Sequence, residues 1–157
     1  MKNGIVSSYL EDGLEKSSAR KAIRGMKKLI LKSNIEFDAI AYTGQSGALV
    51  APTIAYLLNK HLIMVRKDVE LSGSHSFNRV EGYVNKNEPI NYIIIDDFVE
   101  TGKTINTIHE KIADAAGNLP SNIILKGIFL WNSWRRDKSI VIKGKKYKIF
   151  SQCIEKV

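Results

Sequence analysis

Tyr92-Ile93-Ile94-Ile95-Asp96-Asp97-Phe98-Val99-Glu100-Thr101-Gly102-Lys103-Thr104 is the most informative stretch of this 157-residue chain. An unbroken apolar run at residues 92–95 suits a strand covered on both faces, as in the middle of a parallel sheet. Two carboxylates end that strand. The small, hydroxylated residues after them lead into a helix that the pattern starts at a Thr104 cap and carries to about Ala116, with Gly117 as its stop and Pro120 as a further breaker. Free N–H groups at a helix start favour a phosphate. Carboxylates repel a phosphate but accept hydrogen bonds from hydroxyls. A ligand that satisfies both halves carries a phosphate at one end and a diol nearby, and a ribose 5-phosphate meets that description. Gly102-Lys103-Thr104 does not close a nucleotide-binding P-loop. That motif needs a glycine five places earlier, where this chain has Asp97.

On either side of this stretch the pattern alternates. Residues 14–33 read as an amphipathic helix: Lys16, Arg20, Arg24 and Lys27 form a basic stripe, and Ala19, Ala22, Ile23, Met26, Leu29 and Ile30 an apolar one. A strand at 37–42 runs into Thr43-Gly44-Gln45-Ser46-Gly47, followed by a helix over 48–59 with Pro52 near its start. A second strand covers 62–66. Residues 67–88 are polar, with a short hairpin at 80–84, and so long a stretch inside a compact domain reads as a functional loop. A strand at 123–131 and a hairpin (139–142, turn at 143–146, then 147–150) complete the chain. The class is α/β, a mainly parallel twisted sheet flanked by helices with a small C-terminal hairpin, in one domain spanning 1–157.

Composition narrows the field. Apolar residues make up 44% of the chain, too many for a disordered tail. The lone Cys153 excludes a disulfide framework and a cysteine zinc site. No apolar run approaches a membrane span, and Met1 to Ser8 lack the apolar core of a signal peptide, so the expectation is a cytoplasmic protein without membrane contact. The net charge of +8 is concentrated in two segments. Residues 14–33 and 135–148 together carry +12, which leaves the rest of the chain at −4. That imbalance fits either solvated faces or attraction of a polyanion. His61, His75 and His109 lack metal-ligand spacing; His61 reads as a strand-edge residue and His109 as helix surface. Ser74-His75-Ser76 lacks the elbow of a hydrolase nucleophile.

With its apolar run, paired acids and Thr-Gly-x-Thr, the 92–104 segment resembles the type I phosphoribosyltransferases. Thr43-Gly44-Gln45-Ser46-Gly47 is similar to that family's pyrophosphate loop. Val65-Arg66-Lys67 is similar to the start of its flexible active-site loop, with His75 and Glu81-Gly82 in matching places; there the likeness is to the orotate and adenine enzymes. Residues 37–131 carry the resemblance.

The resemblance implies Mg²⁺-dependent transfer of the phosphoribosyl group from 5-phosphoribosyl 1-diphosphate to a nucleobase, releasing pyrophosphate. Asp96 and Asp97 would accept the ribose hydroxyls, while Thr101, Gly102, Lys103 and Thr104 hold the 5′-phosphate. Thr43, Gly44, Gln45, Ser46, Gly47, Arg66 and Lys67 would bind the pyrophosphate. Mg²⁺ would ride on the diphosphate near Asp96 and Asp97 without a direct protein ligand. Glu100 occupies the place of an acid that contacts the base in purine-salvage members and is there a candidate proton acceptor; the other reading has it pointing to solvent near the helix start. Where orotate enzymes carry a loop lysine this chain has Val69-Glu70-Leu71-Ser72-Gly73, so the catalytic cation would come from Arg66, Lys67, Arg79 or a neighbouring subunit. The base-binding hood would be built from the N-terminal segment, from 132–157, or from both, with Trp131 and Trp134 as stacking candidates, at least one of which packing of the hairpin would account for instead. A cytoplasmic homodimer is implied. Beside this enzyme stands a second reading, a weakly catalytic sensor of the same diphosphate that binds RNA or DNA through the basic segments.

Overall fold

The computed structural model describes residues 10–67, 78–84, 88–117, 122–133 and 139–152. Its elements are α1 (Glu11–Leu14), α2 (Lys16–Ser33), β1 (Ala39–Thr43), α3 (Gly44–Ala48), α4 (Ala51–Leu58), β2 (His61–Val65), β3 (Val80–Gly82), β4 (Ile90–Asp96), α5 (Lys103–Ala115), β5 (Ile123–Leu130), β6 (Ser139–Ile142) and β7 (Lys145–Ser151). The strands form one seven-stranded sheet in the order β3-β2-β1-β4-β5-β7-β6. The pairs β1/β2, β1/β4, β4/β5 and β5/β7 are parallel, and only β2/β3 and β6/β7 are antiparallel. The expected α/β class with a mainly parallel sheet is what the chain adopts.

β4 lies at the centre because its residues suit burial on both faces. Ile93, Ile94 and Ile95 are wholly buried, and each contributes about 1.5–3 kcal/mol relative to an exposed side chain. Ile94 faces a core formed with Ile105, Ile108 and Ile112 of α5. Ile93 and Ile95 face the opposite core, with Ala22, Met26 and Ile30 of α2 and Ile54 of α4. Sheet alternation therefore places α5 on one side and α2 with α4 on the other.

From β1 the chain moves outward to β2 and β3, then returns to the far side of β1 for β4 and β5. The reversal between β1 and β4 is a topological switch point, and ligands bind in the crevice at the carboxyl ends of such strands. The two loops that diverge there follow Thr43 and Asp96.

Several local features differ from the sequence reading. The first helix is broken at Glu15, whose backbone is extended (φ −74, ψ 129) and whose carboxylate accepts from the Ser18 amide at 2.7 Å and from the Ser17 hydroxyl. These bonds pull its pKa down to about 2. The exposed cations of α2 include Lys28, while Lys27 is half-buried. The helix expected from residue 48 begins at Ala51, with Pro52 in its first turn, where a missing N–H costs nothing. His109 is half-buried and lies between the rings of Tyr92 and Tyr147, its Nδ1 2.6 Å from the Tyr92 hydroxyl. Burial lowers the His109 pKa and so favours the neutral ring, whose tautomer sets which of the two groups donates. His61 is exposed and stacked on Tyr83 at 3.8 Å. His75, the 69–73 stretch, Pro120, Trp134 and Cys153 lie outside the described residues.

Candidate active site

A cleft of about 260 Å³ opens at the switch point, lined by Thr43, Ser46, Lys67 and the whole of 96–105. Its floor is the acid pair at the end of β4. Asp96 is 4% exposed and Asp97 6%. The Asp96 Oδ1 accepts from the Asp97 amide at 2.9 Å and from the Ser46 hydroxyl at 3.2 Å. The Asp97 Oδ1 accepts from the Phe98 amide at 2.9 Å. Desolvation, then the neighbouring Asp97 charge, pushes the Asp96 pKa up to about 7, while the Asp97 amide and Ser46 hydroxyl pull it down. Asp96 is thus poised to gain or lose its proton near neutrality.

Beyond the acids the chain enters α5 through Gly102, which is the N-cap at φ +79 with no side-chain cap. Thr104, the expected cap, is inside the helix. Only glycine adopts this backbone freely, and a Cβ would lie 2.1 Å from Ile140 Cδ1, so the end of that hairpin side chain would have to shift. Thr101 Oγ1 accepts from the Lys103 amide at 3.3 Å. α5 runs for 13 residues, so its N-terminus presents several amides and a full helix dipole to the cleft.

The opposite wall comes from the end of β1. Thr43 is buried and its hydroxyl donates to the Val65 carbonyl at 2.6 Å, tying the ends of β1 and β2 together. The expected pyrophosphate loop is one turn of helix, α3, entered through Gly44 at φ +60. A Cβ on Gly44 would sit 3.0 Å from both Cε and Nζ of Lys67, so the lysine ammonium lies directly over this turn. Gly47 permits close approach to the sheet: a Cβ there would meet Tyr42 Cβ at 2.8 Å. Of the loop, Thr43 and Ser46 line the cleft; Gly44, Gln45 and Gly47 do not.

Arg66 is held away from the cleft. Its guanidinium pairs with Glu81 of β3, with NH2 2.8 Å and Nε 3.0 Å from Oε1. Its backbone is anchored too, donating to the Arg79 carbonyl at 2.9 Å and accepting from the buried Lys111 ammonium at 2.9 Å. Arg79 is exposed. Glu100 is exposed and borders both the main cleft and a smaller cavity of about 140 Å³, which it lines with Val99, Thr101, Leu130, Ser139, Ile140 and Ile149.

Trp131 corrects the stacking expectation. It is wholly buried and therefore offers no face to a base. Instead its indole N–H donates to the Ser46 carbonyl at 3.2 Å, and its backbone N–H to the Asp96 carbonyl at 3.0 Å. One residue at the end of β5 thus ties the α3 turn to the acid pair, with the Ser46 hydroxyl closing the triangle. Sequence reasoning also missed Lys111 and the hairpin residues at the smaller cavity. The hairpin pattern was legible, but not which of its faces meets Glu100. Among the described residues no group of three metal-ligating side chains occurs, and no helix is long and apolar enough to cross a membrane.

The same fold recurs in solved structures. An adenine phosphoribosyltransferase from Thermoanaerobacter pseudethanolicus superposes with a TM-score of 0.61 over 94% of this chain and 87% of its own, at 20% identity. An orotate phosphoribosyltransferase from Aeropyrum pernix gives 0.61 over 93% and 76%, at 14% identity. The fold is that of the type I phosphoribosyltransferases. The likeness reaches past 37–131 to take in most of the chain. In sequence, this phosphoribosyltransferase-like chain is 29% identical over 102 residues to the orotate phosphoribosyltransferase of Coxiella burnetii, matching 65% of this chain and 44% of that protein. It is 28% identical over 130 residues to the adenine phosphoribosyltransferase of Lachnoclostridium phytofermentans, matching 76% of this chain and 72% of that one. The match thus spans less than half the length of the first relative. No protein-family model matches the chain.

Proposed function

We propose that this protein is a phosphoribosyltransferase acting on 5-phosphoribosyl 1-diphosphate and a nucleobase. The observation that carries the reading is a single cleft faced by a buried acid pair, a helix N-terminus and a lysine ammonium. Those groups match a diol, a phosphate and a diphosphate in turn. Likeness to an orotate and an adenine enzyme supports it.

Asp96 and Asp97 accept the ribose hydroxyls and hold the ring. The amides of 102–104 and the Thr101 and Thr104 hydroxyls take the 5′-phosphate. Lys67 lies over the α3 turn, where it meets the diphosphate with Thr43 and Ser46; Gly44 and Gly47 give the turn its shape. The base occupies the smaller cavity beside Glu100, between Val99 and Ile140. A ring nitrogen bonds to C1 of the ribose, the bond from C1 to the diphosphate oxygen breaks, and the nitrogen's proton passes to Glu100. The carbon becomes oxocarbenium-like on the way, and a carboxylate floor tolerates that charge. Lys67 and the backbone amides offset charge as it develops on the leaving group, without having to reorganise.

The donor set suits a Mg²⁺ ion that arrives with the diphosphate: two acids beside the Thr43 and Ser46 hydroxyls, too few for a protein-built cage. When bound, the ion neutralises leaving-group charge. The same reading has a cytoplasmic homodimer working in nucleotide salvage.

The test is pyrophosphate release from 5-phosphoribosyl 1-diphosphate with a panel of bases, alongside chromatographic detection of the nucleoside monophosphate. Release with at least one base is expected. Glu100→Gln is expected to slow it by about 10²-fold, the usual scale for a general base. No release with any base, in the presence of Mg²⁺, would overturn the proposal.

A further inference from the structure

Helix α2 presents an array of charge that the fold does not require. Lys16, Arg20, Arg24, Lys28 and Lys32 recur at every fourth residue, all are exposed, and the helix contains no acid. Neighbours at this spacing lie side by side on a helix, and like charges there repel and destabilise it. The helix dipole accounts only for the cations of the last turn, because positive charge in the first turn opposes it. None of the five has a carboxylate partner among the described residues. The chain therefore tolerates a ladder of repulsion, about 0.2–0.5 kcal/mol per neighbouring pair, that no carboxylate among the described residues offsets, and a local rule broken in this way points to a functional surface.

The spacing suggests what relieves it. Four residues advance about 6 Å along a helix, so the ladder spans about 24 Å with a cation at each step. Near its C-terminal end lies an open groove of about 410 Å³ lined by Arg24, Lys27, Lys28, Leu31 and Lys32, where Leu31 is 58% exposed. A second strip of charge shares this side of the sheet. Phe150 of β7 packs into the core beneath α2, and Gln152 donates to the Lys21 carbonyl at 3.1 Å. Strand alternation then places Lys146 and Lys148 on the same side as α2.

We propose that the exposed face of α2, extended by Lys146 and Lys148, binds the phosphate backbone of single-stranded nucleic acid without reading its sequence. Three alternatives fit less well. A membrane would need the apolar face of α2, and Ala22, Met26 and Ile30 are sealed in the core. A second copy of this face would bring like charges together. An acidic protein segment offers carboxylates on flexible side chains, whereas a nucleic-acid strand offers a regular row of phosphates to a regular row of cations. None of these residues lines the main cleft, so this inference does not depend on the proposed transferase activity.

The experiment is fluorescence anisotropy of the full chain with labelled oligouridylate over a salt series. Single strands release about 0.7 counterions per phosphate neutralised, so the five α2 contacts alone give a log–log slope near −3.5 and all seven cations a slope near −5, about a 100- to 1,000-fold loss of affinity between 50 and 200 mM salt. The triple variant R20Q/R24Q/K28Q is expected to bind more weakly, with the slope reduced by about 2, and to melt at a temperature no lower than the parent, because it relieves repulsion. Phosphoribosyl transfer, measured in parallel, should be unchanged. Absence of binding at low salt, an unchanged slope in the variant, or a clear fall in its melting temperature would each overturn the proposal. Equal binding of polyglutamate with the same number of charges would overturn the nucleic-acid assignment in favour of an acidic protein.

Discussion

Replacing Asp96 with asparagine is expected to strengthen the fold while destroying the activity. Asparagine keeps a carbonyl oxygen for the Asp97 amide and the Ser46 hydroxyl, so the bonds at 2.9 and 3.2 Å survive and only the buried charge is removed. Burial and Asp97 hold the native Asp96 pKa at about 7, against 3.8 for an unperturbed aspartate. A folded-state value above the unfolded one means that the native chain binds the extra proton between those limits. Stability attributable to this group is therefore greatest in acid, falls as pH rises from about 4 to 7, and is flat above. At about 1.36 kcal/mol per pH unit the full span is about 4 kcal/mol, and sharing of the cost with Asp97 reduces it to about 2–4. Urea unfolding of the parent and Asp96→Asn proteins at pH 4 and pH 8.5 isolates this contribution, since other effects of the substitution are common to both. The variant should gain about 2–4 kcal/mol relative to the parent on going from the acid to the alkaline condition, with turnover undetectable at either. An identical stability difference at both pH values would show that no buried charge is being held there.

Trp131→Phe keeps an aromatic ring, removes the N–H that reaches Ser46 and leaves a small void where the rest of the buried indole lay. Losing this part-buried hydrogen bond costs about 0.5–1.5 kcal/mol, so unfolding should report at least that loss and the KM for the diphosphate substrate should rise more than kcat falls; unchanged values of both would remove the clamp. Glu81→Gln releases Arg66 from a partly exposed ion pair whose side chains are 20% and 33% exposed. Stability should change by less than about 1 kcal/mol, and pyrophosphate, measured by calorimetry, should bind more tightly if Glu81 competes with it for the guanidinium. Gly102→Ala combines a φ of +79 with a Cβ 2.1 Å from Ile140. A loss of at least about 2 kcal/mol is expected, partly rescued by Ile140→Ala; no rescue would mean that backbone strain alone is responsible.

Much of the site was written in local pattern. The run at 92–95 suits a strand covered on both faces, and acids at its end suit the mouth of a parallel sheet. The glycines at 44 and 102 permit backbone that other residues resist, although the local pattern set the helix starts at 48 and Thr104, where the chain turns into helix at Gly44 and Lys103. The charge segregation on α2 was equally plain, since a helical period sorts it without reference to the rest of the chain.

Other features were invisible until distant segments met. Trp131 has the chemistry of a stacking residue, but its burial depends on the α3 turn meeting the end of β5, with Ser46 and Trp131 85 residues apart in sequence. Arg66 has the charge of a diphosphate ligand, but Glu81 on an antiparallel edge strand reaches it first. The proton on Asp96 is set by desolvation, which no window of sequence contains, because the water is excluded by elements from both sides of the sheet. Periodicity and turn chemistry are properties of neighbours along the chain; burial, partner choice and titration are properties of neighbours in space.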